Sequence, residues 1–175
     1  MHKALVLLIL LVGMGSAGMV RAADYRIETW VDGLDQPWSL AFLPGGGALV
    51  TELRGTLRRI DADGAAGAPL ANVPPVYFAA QGGLLDVVLH PDVADNGMVY
   101  LSYAEAGPAN TRGAAVARGK LEIGERSSSF SDIEVVWRQY PKVLGRGHYG
   151  HRIVFDDAGF LWISSGDRQK FTPAQ

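Results

Sequence analysis

The sequence predicts an all-β fold of the β-propeller type, and three observations lead to that prediction. After residue 24, the apolar stretches are short and show almost no helical periodicity. Glycine, proline and aspartate separate these stretches at regular intervals, as in strands joined by tight turns. A unit of apolar strand, turn rich in Pro, Asp and Gly, and second apolar strand occurs three times. Repeated strand units of this length are typical of propeller blades.

The first repeat predicts three consecutive strands. Pro44-Gly45-Gly46-Gly47 forms the turn between the first two, and Arg54-Gly55 separates the second strand from the third. Residues 61–69 are small or polar, so we expect a loop there. The predicted strands span residues 38–43, 48–53 and 56–60.

The second repeat predicts a four-stranded unit. Its first strand ends at His90-Pro91-Asp92, and Asp95-Asn96-Gly97 precedes the next strand, so the segment between them is a turn. The predicted strands span residues 84–89, 98–103, 114–123 and 133–138.

The third repeat is a β-hairpin. Its two apolar runs, at residues 153–155 and 160–163, flank the turn sequence Asp156-Asp157-Ala158-Gly159, in which Gly159 can take a positive φ. A closed propeller needs at least four blades, whereas this sequence holds two repeats and the start of a third. We therefore expect residues 24–175 to be the truncated N-terminal part of a propeller domain. A β-sandwich with similar hairpins is the alternative that the pattern leaves open.

The open end of this hairpin carries the candidate site. If the turn centres between Asp157 and Ala158, antiparallel pairing places His148 opposite Asp167. Cross-strand neighbours have Cβ atoms about 5 Å apart, close enough for a carboxylate to accept a hydrogen bond from an imidazole. A carboxylate-supported histidine is the usual arrangement of a general base. The alternative is a histidine in an ordinary glycine loop beside an aspartate that only caps a turn.

The N-terminus indicates export from the cytoplasm. A basic start, a short apolar run and an Ala-rich segment at residues 1–23 together predict a signal peptide, with cleavage near Ala22 or Ala23. An uncleaved membrane anchor is the alternative, but the apolar run is short for a bilayer span. We expect a periplasmic or secreted protein without a stable membrane anchor. The sequence contains no cysteine, so disulfides are excluded.

Charge argues against nucleic-acid or anionic-membrane partners. Without Lys3 and Arg21, the mature chain has fourteen basic and eighteen acidic residues, a net charge of about −4. A polyanion-binding protein normally carries a basic patch, and none is evident here.

Several motifs, in order along the chain, resemble those of the glucose/sorbosone dehydrogenase family. The resemblance covers essentially the whole mature chain and is strongest to the soluble, pyrroloquinoline quinone (PQQ) dependent aldose sugar dehydrogenases. It implies a six-bladed β-propeller and oxidation of an aldose at C1 to the lactone, with hydride passing to PQQ. The motifs are Pro37-Trp38-Ser39-Leu40-Ala41-Phe42-Leu43-Pro44, Leu49-Val50-Thr51-Glu52-Leu53-Arg54-Gly55, Gln81-Gly82-Gly83-Leu84-Leu85-Asp86-Val87-Val88-Leu89-His90-Pro91-Asp92, and residues 147–168.

The resemblance also implies roles for individual residues. His148 matches the family's catalytic base and Asp167 the carboxylate that supports it. Gln81 matches a glutamine near cofactor and sugar. Because equivalent loops of neighbouring blades meet on one face of a propeller, Gln81 should also lie close to His148. The alternative is a loop glutamine that contacts only water. Arg152 matches an arginine with either a structural or a binding role. His151 replaces a residue that is often small, so it either crowds the pocket or adds a second titrating group.

The cofactors implied by the resemblance are PQQ and calcium. The family's later blades supply most PQQ ligands and the calcium ligands, so we expect those residues to lie beyond residue 175 and assign no metal ligand here. The implied partners are an aldose and an electron acceptor. Two hypotheses follow: the N-terminal part of a PQQ-dependent dehydrogenase that is inactive alone, or a non-catalytic propeller fragment that binds sugar or a partner protein.

Overall fold

The computed structural model describes residues 25–124 and 127–170. Within these residues, ten strands form three antiparallel sheets. The first sheet contains β1 (Pro37–Phe42), β2 (Ala48–Glu52), β3 (Thr56–Ile60) and β4 (Ala66–Pro69). The second contains β5 (Leu84–Leu89), β6 (Met98–Ala106), β7 (Arg112–Ile123) and β8 (Ser128–Arg138), and the third contains β9 (Gly150–Phe155) and β10 (Leu161–Ser165). Short helical turns occur at Val93–Asn96 and Pro108–Asn110.

Each sheet is a meander in which consecutive strands are neighbours. The propeller prediction of two blades and the start of a third is therefore confirmed. Residues 1–23, the predicted signal peptide, lie outside the described residues. No helix in the described part of the chain is long and apolar enough to span a bilayer.

Two strand predictions were wrong at the outer edges of the blades. The predicted loop at residues 61–69 contains strand β4, which is mostly exposed and pairs with β3 through Ile60 and Ala66. Strand β8 begins at Ser128, five residues before the predicted start, because Ser128 and its neighbours pair with the end of β7. Edge strands have one free side and little buried surface, so they lack the apolar pattern that identifies inner strands.

The main core lies between the first two sheets. Strand β2 is buried along its whole length because β1 and β3 flank it in the sheet and β5 of the second blade packs against it. Each fully buried leucine or valine stabilises the fold by roughly 1.5–3 kcal/mol relative to exposure. The buried residues of this core are Leu49, Leu57, Leu70, Leu84, Val87, Val99, Leu101, Tyr103, Ala115, Ala117 and Phe130.

A second, smaller core joins the third hairpin to the second blade. Ile153 of β9 packs with Tyr100 of β6 and Val116 of β7. This contact fixes the position of β9, and therefore of the segment just before it, relative to the second blade.

The first strands of the three sheets lie side by side, and Asp86 of β5 links them. This carboxylate is 1% exposed and accepts hydrogen bonds from Ser39 Oγ of β1 at 2.7 Å and from the backbone N–H of Ile153 of β9 at 2.9 Å. A buried carboxylate is tolerated only when such partners satisfy it. The chain segments before these strands therefore meet at one end of the assembly.

Candidate functional site

The β9–β10 hairpin forms the turn that its sequence predicts. Asp156 Oδ1 accepts hydrogen bonds from the backbone N–H groups of Ala158 and Phe160 at 3.0 and 2.9 Å. Gly159 takes φ +83°, which a residue with a side chain rarely adopts. This turn chemistry explains why Asp and Gly stand at these positions.

The predicted register of the hairpin was one residue off beside the turn. Ile153 pairs with Ile163, whereas a turn centred between Asp157 and Ala158 would pair Ile153 with Trp162. A β-bulge then shifts the register between Ile163 and Ser165, where Ser165 pairs with Gly150. A bulge places two residues opposite one, so this shift returns the segment before β9 to the predicted alignment.

The structure brings His148 and Asp167 together at this open end. Nδ1 of His148 lies 2.8 Å from Oδ1 of Asp167, and the same carboxylate oxygen accepts the backbone N–H of Gln169 at 2.9 Å. Since a carboxylate can only accept, Nδ1 carries the hydrogen, and Nε2 of the neutral ring is left as a proton acceptor. The His148 side chain is 55% exposed, so a molecule in solution can reach it.

Gln81 contacts the same histidine from the second blade. Its Oε1 accepts the backbone N–H of His148 at 2.8 Å, and its own backbone N–H donates to the carbonyl of Arg146 at 3.2 Å. The two loops therefore meet, as the equivalence of the repeats predicts. A side chain at Gly147 would approach Gln81 Oε1 to 2.8 Å, so only glycine leaves room for this contact.

A cavity of about 390 Å³ opens beside these residues. Its walls combine the polar groups of His148 and Gln81 with aromatic and aliphatic side chains. This mixture of apolar walls and a few polar groups is typical of small-molecule sites. The lining residues are Trp38, Leu53, Ala80, Gln81, Leu85, His148, Tyr149, Gly150 and His151.

Arg152 lies next to this cavity and ties the inner strands together. One guanidinium nitrogen is 2.9 Å from Oδ1 of Asp86, and its Cζ lies 5.0 Å from the ring centroid of Trp38. Arg152 thus bridges β9, β5 and β1, which supports the structural alternative for this residue. Its side chain is nevertheless 64% exposed, so its charge also faces solvent beside the cavity wall.

His151 lies in the wall of the cavity and is almost completely buried. Its ring stacks on that of Tyr149 with centroids 5.2 Å apart, and neither ring nitrogen has a hydrogen-bond partner among the described residues. Desolvation, with a smaller effect of the Arg168 charge, lowers the pKa of His151 from 6.5 to about 3. His151 therefore stays neutral near pH 7, so it fills the wall and adds no second titrating group there.

Two further buried charged residues, which their sequence patterns do not mark, support the site. Asp86 joins the inner strands, and Arg168 joins the loops that carry His148 and Asp167. Burial of charged side chains is rare, so composition gave no signal for either. Their place inside the motifs is the sequence signal that could have identified them. Asp86 lies in the same motif as Gln81, and Arg168 directly follows Asp167.

Metal binding has no evident site in the described part of the chain. Residues 25–124 and 127–170 contain no group of three or more His, Cys, Asp or Glu side chains placed to hold a metal ion. The calcium implied by the resemblance therefore stays an expectation.

Fold and site together define a class of protein: propeller blades whose inner strands converge on an aspartate-supported histidine beside an open cavity. The family model for glucose/sorbosone dehydrogenases matches residues 34–175. Aldose sugar dehydrogenase YliI of Escherichia coli K12 is 41% identical over 176 aligned positions, which include all of this chain. The chain belongs to the glucose/sorbosone dehydrogenase family.

Solved structures agree with this assignment. The soluble aldose sugar dehydrogenase of Escherichia coli, in its apo form, superposes on 82% of this chain with a TM-score of 0.76 and 45% identity. The PQQ-bound aldose sugar dehydrogenase of Streptomyces coelicolor superposes on 80% with a TM-score of 0.70 and 34% identity.

The chain spans less than half the length of these relatives. It covers 47% of the Escherichia coli sequence, 41% of the Escherichia coli structure and 40% of the Streptomyces structure. The activity of a whole relative therefore cannot be assigned directly to this chain.

Proposed function

We propose that this chain supplies the catalytic base and one wall of the active site of a PQQ-dependent aldose dehydrogenase. The observation that carries the proposal is the 2.8 Å contact between His148 Nδ1 and Asp167 Oδ1 at the edge of an open cavity. The family assignment and the PQQ-bound Streptomyces relative support the reaction class. The product is the lactone of the sugar.

His148 acts as general base in this proposal. The C1 hydroxyl of an aldose is a weak acid, so departure of hydride from C1 is easier when the hydroxyl proton leaves in the same step. Nε2 of His148 takes that proton, and the ring becomes an imidazolium that the Asp167 carboxylate stabilises. Positioned general bases contribute on the order of 10²–10⁴-fold to rates.

The residues present here fit one edge of a flat, polycarboxylate quinone. His148 and Gln81 offer hydrogen bonds beside the apolar surfaces of Trp38 and Leu85, and Arg152 offers a positive charge next to Trp38. When bound, PQQ supplies the hydride acceptor. Gln81 already uses its Oε1 to hold the His148 backbone, so its amide NH₂ is the group that can face cofactor or sugar.

The whole enzyme needs residues that this chain does not provide. We propose that the remaining PQQ ligands and the calcium ligands correspond to the other half of the relatives' length, and that these 175 residues alone do not turn over sugar.

We also propose export to the periplasm or exterior, from the signal-like sequence at residues 1–23. An external electron acceptor would take up the electrons that leave the sugar.

A chimera tests this proposal most simply. Residues 25–170 would replace the matching part of the Escherichia coli relative, and dye-linked glucose oxidation would be measured with PQQ and calcium added. We expect turnover by the chimera, none by the 175-residue chain, and a loss of at least about a hundredfold in kcat on His148→Gln. The matched control is His90→Gln, which should keep kcat, because His90 follows β5 whereas Gln81 and the cavity lie before it. An active His148→Gln chimera would refute the assignment of the base.

A further inference from the structure

Arg168 is a fully buried arginine whose guanidinium donates hydrogen bonds to neutral oxygens. Its side chain is 0% exposed. The charge of the adjacent Asp167 also attracts the guanidinium. Nε donates to Gln139 Oε1 at 3.0 Å, one terminal nitrogen to the carbonyl of Gly147 at 3.1 Å, and the other to the carbonyls of Tyr149 and Gly166 at 3.0 and 3.1 Å.

The positions of these carbonyls are informative. Gly147 and Tyr149 lie on either side of His148, and Gly166 directly precedes Asp167. One planar guanidinium therefore fixes the backbone on both sides of the histidine and on the near side of the aspartate. An arginine suits this task because its donors have a fixed fork geometry, whereas a lysine ammonium is a point charge on a flexible stem.

The backbone of this segment needs such support. His148 has φ +48° and Arg168 has φ +52°, left-handed conformations that residues other than glycine rarely adopt. Conformations of this kind persist only where the surroundings determine them firmly. Backbone hydrogen bonds from Arg168 to the His148 carbonyl and from Gly166 to the Tyr149 carbonyl join the segments that flank the hairpin. The guanidinium adds three more hydrogen bonds to the carbonyls of these segments.

The surroundings also keep the arginine in place and charged. The Tyr149 ring lies against the guanidinium, with Arg168 Cζ 4.0 Å from the ring centroid. Gly145 passes directly beside the Arg168 backbone, where a side chain would collide with it. Burial lowers the pKa of Arg168 to about 10, which still leaves it cationic near neutral pH.

We propose that Arg168 is the positioning residue that holds the His148 imidazole on Asp167, and so fixes which ring nitrogen is free to accept a proton. Its catalytic consequence rests on the proposed base role of His148, whereas its structural consequence does not. Without the hydrogen bonds of the Arg168 guanidinium, the loops around His148 and Asp167 can separate. The neutral His148 ring can then exchange the Nδ1–H tautomer for the Nε2–H form, which cannot accept a proton at Nε2.

The tautomer of His148 in the 175-residue chain is the direct readout. Long-range ¹H–¹⁵N correlation spectra of the histidine rings would be recorded for wild type and Arg168→Lys, well below their melting temperatures. We expect the Nδ1–H form to dominate in wild type and the Nε2–H form to gain at least about threefold in population in Arg168→Lys. Arg118→Lys, on the exposed surface of β7, is the control and should leave the spectrum unchanged.

A residue that only stabilises the fold would lower the melting temperature without changing the tautomer of the folded state. A folded Arg168→Lys with the wild-type His148 tautomer would therefore overturn the proposal. If Arg168→Lys fails to fold, the wild-type protein decides: the Arg168 guanidinium hydrogens should exchange slowly and show hydrogen-bond couplings to the Gly147, Tyr149 and Gly166 carbonyls. Fast exchange without these couplings would overturn it as well.

In the chimera described above, Arg168→Lys should lower kcat at least about tenfold while KM changes less than about threefold. Unchanged kinetics beside a shifted tautomer would overturn the catalytic consequence. The two proposals fail separately, because full activity of His148→Gln removes the base assignment and leaves the tautomer measurement intact.

Discussion

Acid should destabilise this protein through His151, and the size of the effect follows from its burial. The folded state holds the pKa of His151 at about 3, against 6.5 for an exposed histidine. Between these values the unfolded chain binds a proton that the folded chain does not. The free energy of unfolding therefore falls as the pH drops below 6.5, by about 1.4 kcal/mol per pH unit, or about 2 kcal/mol at pH 5.

His151→Ser removes this contribution. The smaller side chain costs packing energy, but that cost is the same at every pH. Relative to wild type, the variant should therefore gain about 2 kcal/mol in unfolding free energy when the pH is lowered from 7.5 to 5. Urea unfolding curves of both proteins at the two pH values measure this difference directly.

The apolar control lies two residues further along the same strand. Ile153→Val removes one buried methylene and no titrating group, so it should destabilise by about 1 kcal/mol at both pH values. An equal stability difference between His151→Ser and wild type at pH 7.5 and pH 5 would refute the burial argument for His151.

Three further outcomes are expected. Asp86→Ala leaves the buried N–H of Ile153 and the Arg152 guanidinium without their acceptor. Urea unfolding should therefore show a free energy of unfolding lower by about 2–4 kcal/mol. The exposed control Glu134→Gln should lower it by less than about 1 kcal/mol. A loss no larger than that of Glu134→Gln would contradict the role of Asp86. Far-UV circular dichroism should be dominated by β-structure, and a helical spectrum would contradict the fold. Mass spectrometry of protein from the periplasm should find an N-terminus near Ala23 or Asp24, and an intact Met1 there would contradict export.

The inner strands and the turn at residues 156–159 were predictable from sequence because their apolar runs and turn residues are local signals. Strand β4 was not, because Ala66–Pro69 becomes a strand by pairing with β3 and has no apolar face of its own. The meeting of His148 and Asp167 was predictable from hairpin symmetry, although the register beside the turn was wrong and the bulge that compensates for it leaves no evident mark in the sequence.

The burial of polar and ionisable groups around the site was not predictable from local sequence patterns. Arg168, Asp86 and His151 are polar or ionisable, and such residues are usually exposed. Their burial depends on partners far away in sequence, such as Gln139 for Arg168 and Ser39 for Asp86. Only the assembled blades bring these partners together, so single-sequence patterns identify the catalytic candidates more readily than the residues that hold them.

The central claim is that His148, supported by Asp167, removes the proton from the sugar. Steady-state kinetics of His148→Gln, Asp167→Asn and His151→Ala in the chimera tests it most directly. We expect kcat to fall at least about a hundredfold for His148→Gln, with a smaller change in PQQ affinity. For Asp167→Asn, kcat should also fall, because the amide favours the wrong tautomer of His148. For His151→Ala, kcat should change little. An inactive His151→Ala beside a His148→Gln with near-normal kcat would show that the wrong histidine has been assigned as the base.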